Sequence, residues 1–126
     1  MLDSIRRHRR TLHRMPEIGF DLPRTHAYIA SALSQTCAHV ETVAQSGVIA
    51  WFDAHAETAI AYRTDMDALS ITEHTGASFA SEVEGRMHAC GHDGHMAVML
   101  AFAEYVDALA TAGKLKKTLK TATARK

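Results

Sequence analysis

The sequence predicts one layered α/β domain, and three observations predict it. Two helical segments come first, three short β-type runs follow, and a further helix closes the pattern, an order that suits helices packed on a sheet. The last helix carries Met99, Phe102, Val106 and Leu109 at spacings of three, four and three, a continuous apolar stripe. The chain has 126 residues with 47% hydrophobic and 22% charged residues, ordinary composition for a small folded domain.

Each element has a local reason. Residues 3–15 read as a helix with Ile5 and Leu12 on one side and arginines on the others, and Pro16 ends it by biasing Met15 away from helical angles. Asp21 is the expected cap of a second helix, in which Ile29 and Leu33 form an i, i+4 apolar pair. Residues 39–43, 47–52 and 58–63 are strand candidates, rich in Val, Ile, Trp, Phe and Tyr with short breaks between them. Residues 64–94 read as long irregular connections with a little strand at 70–72. Loops of this length inside a compact domain are usually functional or disordered, and this one, dense in Asp, His, Cys and Glu, reads as functional. A helix is expected over 95–109, with Gly113 as its stop. The end, residues 111–126, holds six cations and no acid and reads as a solvated, frayed basic tail, with a short amphipathic helix through Leu115, Leu119 and Ala122 as the alternative.

Charge and composition exclude several functions. Fourteen basic residues balance fourteen acidic ones, but residues 15–107 hold three basic against thirteen acidic. An acidic body with no nucleic-acid motif argues against a nucleic-acid partner. No apolar run reaches the roughly 20 residues a membrane span needs. The N-terminal charges are not followed by the apolar segment of a secretory signal. Two cysteines, Cys37 and Cys90, make no disulfide framework, and Cys37 reads as a small packing residue. The expected compartment is the cytoplasm.

Nine histidines are the unusual feature of this composition, and three of them fall in one segment. The run from His88 to His95 contains one thiol, three imidazoles and a carboxylate. Thiolate and imidazole are preferred ligands of zinc and its neighbours. Cys90 and His92 are two apart, so an extended segment would point both to one metal. Asp93 or a nearby backbone carbonyl is suited to fix an imidazole tautomer. A polar loop whose histidines are merely surface residues is the first competing reading, and a nucleophilic Cys90 the second, though nothing else in the sequence supplies it with a base and an orienting group. Asp65 and Asp67 follow the third strand candidate, where an α/β fold places its ligand crevice. Either carboxylate could orient a metal-bound histidine or bind metal, and an ordinary Asp-rich turn is the plainer reading.

Three segments together resemble the M20 family of metal-dependent peptidases and amidohydrolases, in the branch of hippurate hydrolases, N-acyl-amino-acid amidohydrolases and auxin-conjugate hydrolases. Residues 12–20, Leu-His-Arg-Met-Pro-Glu-Ile-Gly-Phe, are similar to the opening L-H-x-x-P-E-x-(G/S)-(F/Y) of that branch. Residues 63–69, Arg-Thr-Asp-Met-Asp-Ala-Leu, are similar to R-x-D-M-D-A-L-P, with Ser70 where proline is usual. Residues 87–95, Met-His-Ala-Cys-Gly-His-Asp-Gly-His, are similar to the highly specific M-H-A-C-G-H-D-x-H.

The resemblance covers residues 2–110 and implies part of a three-layer zinc-exopeptidase-like catalytic domain, a mixed sheet flanked by helices. It implies Cys90 and His92 as metal ligands and Asp67 as the aspartate beside the metal pair, with Asp65 next to the site. His13, Pro16 and Glu17 match the opening segment without an implied catalytic role. Two divalent ions (Mn, Zn or Co) would activate a water to cleave the amide bond of an N-acyl amino acid, and the family's full-length members admit homo-oligomers. The family's paired-glutamate motif and its two later histidine ligands have no counterpart, since the last glutamate is Glu104 and no ligand-type histidine follows His95. The chain is therefore expected to be a truncated N-terminal portion over 1–110 with an unmatched basic segment over 111–126, ended by a shifted frame or an early stop and inactive alone. A non-catalytic remnant with weak metal binding or an interaction role is the alternative.

Overall fold

The computed structural model describes residues 1–123 and contains three helices and four strands in the order α1 (Leu2–His13), α2 (Pro23–Leu33), β1 (His39–Val43), β2 (Gly47–Phe52), β3 (Ala59–Thr64), α3 (His92–Thr111) and β4 (Thr118–Thr123). The α/β architecture expected from the sequence is present, with helices packed on a mixed sheet. Strand order is β1-β2-β4-β3. β1 and β2 form an antiparallel pair, with His39 opposite Trp51 and Val43 opposite Gly47. β4 lies between β2, to which it is antiparallel, and β3, to which it is parallel. β3, α3 and β4 thus make one parallel crossover, and α3 is the connection that such a pair requires.

The solvated-tail reading of 111–126 is corrected. Residues Thr118–Thr123 are not a tail but an interior strand, bonded on both sides, and residues 124–126 lie outside the described residues. The cations misled because the β signal here is carried by threonine, whose branched Cβ suits a strand while its hydroxyl reads as polar. The structure satisfies those hydroxyls. Thr123 Oγ1 donates to the Val48 carbonyl at 3.2 Å and accepts the Val48 N–H at 3.1 Å, and Thr121 Oγ1 donates to the Ala50 carbonyl at 3.4 Å. Lys120 alone of this strand is exposed.

α3 starts three residues earlier than its stripe suggested, at His92. It ends at the expected glycine: Gly113 adopts φ +66°, its N–H reaches the Ala110 carbonyl at 2.9 Å, and the Lys114 N–H reaches Leu109 at 2.9 Å, the two bonds of a Schellman close. Asp21 does not cap α2. Leu22 occupies the cap position without a side-chain bond, and the buried Glu17 carboxylate takes the N–H groups of Arg24 at 3.1 Å and Thr25 at 2.8 Å. The expected strand at 70–72 is a single bridge between Leu69 and Met87.

The core joins all layers. Leu12 and Met15 from the first helix and its exit, Ile29 and Leu33 from α2, Val48, Ala50 and Phe52 from β2, and Met96, Met99, Leu100, Ala103 and Val106 from α3 form one buried cluster with Met66. α1 runs antiparallel along α3 and is pinned at both ends by a buried histidine. His13 meets Asp93 near the start of α3, and His8 meets Glu104 about three turns later. No helix among the described residues is long and apolar enough to cross a membrane.

Candidate metal site

The site lies where β3 ends and α3 begins, the carboxyl edge of the parallel pair. Thr64 closes β3, and the chain turns through Asp65 and Asp67 before the long connection to His92. Three main-chain bonds fix this turn: the Ala68 N–H donates to the Glu17 carbonyl at 2.7 Å, and Leu69 and Met87 exchange a pair of bonds at 3.0 Å. The two aspartates do different work. Asp65 pairs with Arg63, the residue two before it on β3. Asp67 faces the first turn of α3, where its Oδ1 lies 3.4 Å from His92 Nδ1.

His92 is held by the main chain of the same residue. Its Nδ1 is 2.8 Å from the Asp67 carbonyl oxygen. A carbonyl can only accept, so Nδ1 carries the proton, and in the neutral ring Nε2 keeps the lone pair an imidazole needs to ligate a metal. The sequence offered Asp93 or a backbone carbonyl for this task, and the structure uses the carbonyl. Asp67 and His92 are thus brought together.

Cys90 reaches its place by a different route from the one expected. The segment between Cys90 and His92 is not extended, because Gly91 adopts φ +84° in the left-handed region as the N-cap of α3. Cys90 lies in the turn before that cap, as a free, exposed thiol. Its sulfur is accessible and soft, and His92 supplies a directed nitrogen, so the donor chemistry fits part of a zinc-type ligand set. Among the described residues no group of three or more His, Cys, Asp or Glu side chains is arranged to hold a metal ion.

Behind the site is a buried polar layer whose pairing the sequence did not show. His13 Nδ1 lies 2.8 Å from Asp93 Oδ2, and its Nε2 lies 3.2 Å from Glu73 Oε2. Arg9 Nε adds a 3.2 Å contact to the same Asp93 oxygen. Burial pushes the Glu73 carboxyl up, but bonds from Thr75, the Ser81 N–H and His13 outweigh it and hold it below the usual carboxylate range. His88 is 3% exposed, its two ring nitrogens have no hydrogen-bond partner, and burial pushes its imidazole down to about 4. Asp93 draws it upward, and His13 and His92 add to the depression. His95 sits exposed one turn into α3, its ring 6.2 Å from that of His92. The connection itself is clamped to α1: Phe79 lies beneath the guanidinium groups of Arg9 and Arg10 at 5.6 and 5.2 Å and against the edge of His13.

Comparison with known proteins places this geometry. The sequence model of peptidase family M20/M25/M40 matches residues 61–123, the stretch from β3 through α3 to β4. The chain belongs to peptidase family M20/M25/M40. The match runs through β4, beyond the limit of about residue 110 seen in the motifs. The N-acetyldiaminopimelate deacetylase of Streptococcus uberis is 43% identical over 101 residues, 76% of this chain and 27% of the relative. An uncharacterised hydrolase of Staphylococcus saprophyticus is 39% identical over 118 residues, 94% of this chain and 31% of the relative. The crystal structure of the Bacillus subtilis YXEP protein, described as a dinuclear metal-binding peptidase of the M20 family, superposes with a TM-score of 0.87 at 35% identity, covering 96% of this chain and 34% of that one. The chain spans about a quarter to a third of the length of these M20 relatives.

Proposed function

We propose that this chain carries part of the metal site of an M20-type amidohydrolase that cleaves the amide bond of an N-acyl amino acid. The observation that carries the reading is the fixed tautomer of His92, whose Nδ1 proton is committed to the Asp67 carbonyl at 2.8 Å. Cys90 and His92 would hold the metal, and Asp67 would stand beside it. Bound divalent ions supply Lewis acidity, lowering the pKa of a water and polarising the scissile carbonyl. The chain's own residues orient: Asp67 aims His92 through its main chain, and the bonds from Glu17 and Met87 hold the Asp67 turn in place. An acyl-amino-acid substrate agrees with the deacetylase named among the relatives, and a hippurate-like compound is the simplest probe. Zinc suits the thiol, while manganese and cobalt suit the imidazole and carboxylate company.

The competing reading, metal binding without catalysis, rests on the two donors present, since a structural or catalytic site normally has three or four protein ligands. Equilibrium dialysis of the 126-residue chain against zinc, manganese and cobalt, with hippurate hydrolysis measured on the same samples, tests both. The expected result is weak binding that Cys90→Ser or His92→Ala abolishes, with no turnover by the chain alone. Binding unaffected by both substitutions would overturn the assignment of the metal ligands. Turnover by the unaltered chain would remove the competing reading.

A further inference from the structure

His13, in the first of the segments singled out in the sequence, reaches both the third segment, at Asp93, and the long connection that precedes it, at Glu73. It projects from the last turn of α1 and is 4% exposed. Nδ1 faces Asp93 Oδ2 at 2.8 Å, and Nε2 faces Glu73 Oε2 and Oε1 at 3.2 and 3.3 Å. The three side chains are nearly solvent-free, at 5% for His13, 1% for Asp93 and 4% for Glu73. Asp93 is the residue after His92 in the first turn of α3. Glu73 belongs to the long connection, where it also accepts the Ser81 N–H at 2.7 Å. Arg9 and Phe79 complete the enclosure around His13.

We propose that His13 is a positioning residue for His92. The His92 ring is held by its hydrogen bond to the Asp67 carbonyl, and that bond exists only if the first turn of α3 sits at the right height and rotation against the Asp67 turn. Asp93 shares that turn and is the point at which α1 grips it. His13 therefore sets where the turn sits, and through it the aim of His92 Nε2. Loss of His13 leaves two carboxylates facing each other across a buried gap, which their repulsion and burial would open. The consequence for the metal rests on the proposed role of His92, but the geometry does not.

The molecule contains its own control. His8, also on α1, is 5% exposed and bridges Glu104 at 3.0 Å and the Tyr28 hydroxyl at 2.8 Å. It pins the other end of the α1–α3 pair, eleven residues along α3 from Asp93. A purely structural role for His13 would give His13→Ala and His8→Ala the same consequences.

Imidazole ¹H–¹⁵N spectra of the full chain without metal, at pH 8, read the His92 Nδ1–H directly. In the unaltered chain that proton should be visible and slow to exchange. His13→Ala should speed its exchange about tenfold or more, as a bond formed only part of the time behaves, while the β1–β2 amide signals stay in place. His8→Ala should lower the melting temperature and leave the His92 signal unchanged. Glu73→Gln, which keeps the His13–Asp93 contact, should give an intermediate effect and serves if His13→Ala does not fold. An unchanged His92 signal in His13→Ala, or in Glu73→Gln where the former is unfolded, would overturn the proposal, as would an equal change in His8→Ala. Because no metal enters the readout, failure of the metal assignment would leave this result standing, and the reverse holds too.

Discussion

Glu17→Ala is the substitution whose cost follows most directly from the structure. α2 begins with Leu22 at its cap position and Pro23 behind it, so neither a capping side chain nor the first N–H is available. The N–H groups of Arg24 and Thr25 would be unpaired but for the Glu17 carboxylate, which is 7% exposed and takes one with each oxygen. The negative charge also faces the positive end of the helix dipole. The two bonds are not equivalent. Thr25 is fully buried, so its N–H would be left without water, at about 2 kcal/mol. Arg24 is exposed and water can replace its partner, so about 1 kcal/mol is lost there.

The total of about 3 kcal/mol is a large share of the stability expected for a domain of this size, which is of order 10 kcal/mol. Urea unfolding followed by circular dichroism measures it as a fall in midpoint at constant slope. Glu17→Gln keeps one acceptor oxygen and loses the charge, so about half the effect should remain. Asp21→Ala, which removes the cap suggested by sequence, should change stability by less than about 0.5 kcal/mol. A loss below that figure for Glu17→Ala, or a larger loss for Asp21→Ala, would refute the capping argument.

Two glycines and one histidine give further tests. A Cβ at Gly47 would lie 2.9 Å from the Thr123 carbonyl and 3.0 Å from that of Val43, main-chain atoms that cannot step aside, so Gly47→Ala should cost about 2 kcal/mol in the same assay. Gly94 in the first turn of α3 has open space where a Cβ would point, with nothing within 4 Å, so Gly94→Ala should gain up to about 1 kcal/mol. His88 is pushed down to about 4 in the folded chain, chiefly by burial, against 6.5 when unfolded. The unfolded chain therefore binds the extra proton between those values, and stability is complete above pH 6.5 and falls by about 3 kcal/mol as pH drops toward 4. In the metal-free chain, His88→Asn should flatten the urea midpoint between pH 6.5 and 5, and an unchanged pH slope would show that His88 is not the group responsible. Glu73 and Glu104, both held below the usual carboxylate range, add their losses only further into acid.

Local pattern made much of the fold legible. β1 and β2 match their expected spans, and α3 follows its apolar stripe to the glycine that stops it. Period and propensity report burial on one side of one element, and these elements obey them. β4 was hidden for a physical reason. Its burial is supplied by Thr118, Thr121 and Thr123, whose hydroxyls are paired to β2 and to Asp53, while Lys114, Lys116 and Lys117 mark the approach to the strand and Lys120 its one outward lysine. A threonine whose hydroxyl is satisfied across a sheet counts as core, and no single-strand pattern can show the partner that satisfies it.

The candidate site divides along the same line. Asp67 and His92 are close because the end of β3 and the start of α3 belong to one crossover, so a sequence containing both segments already implies their meeting. Cys90 and His92 do not share the extended segment that their spacing suggested, since Gly91 turns the chain between them. What no spacing could show is that Asp93, a possible orienting group for a ligand, is instead the handle by which a histidine eighty residues earlier holds the helix. Contacts of that separation are set by how α1 lies on α3, and their chemistry becomes readable only when His8 and His13 are seen to meet acids along one helix face. The opening segment of the chain is then more than a family signature. Glu17 caps α2 through its side chain and holds Ala68 through its main chain, and His13 grips the turn that carries His92, so one short stretch supports both walls of the candidate metal site.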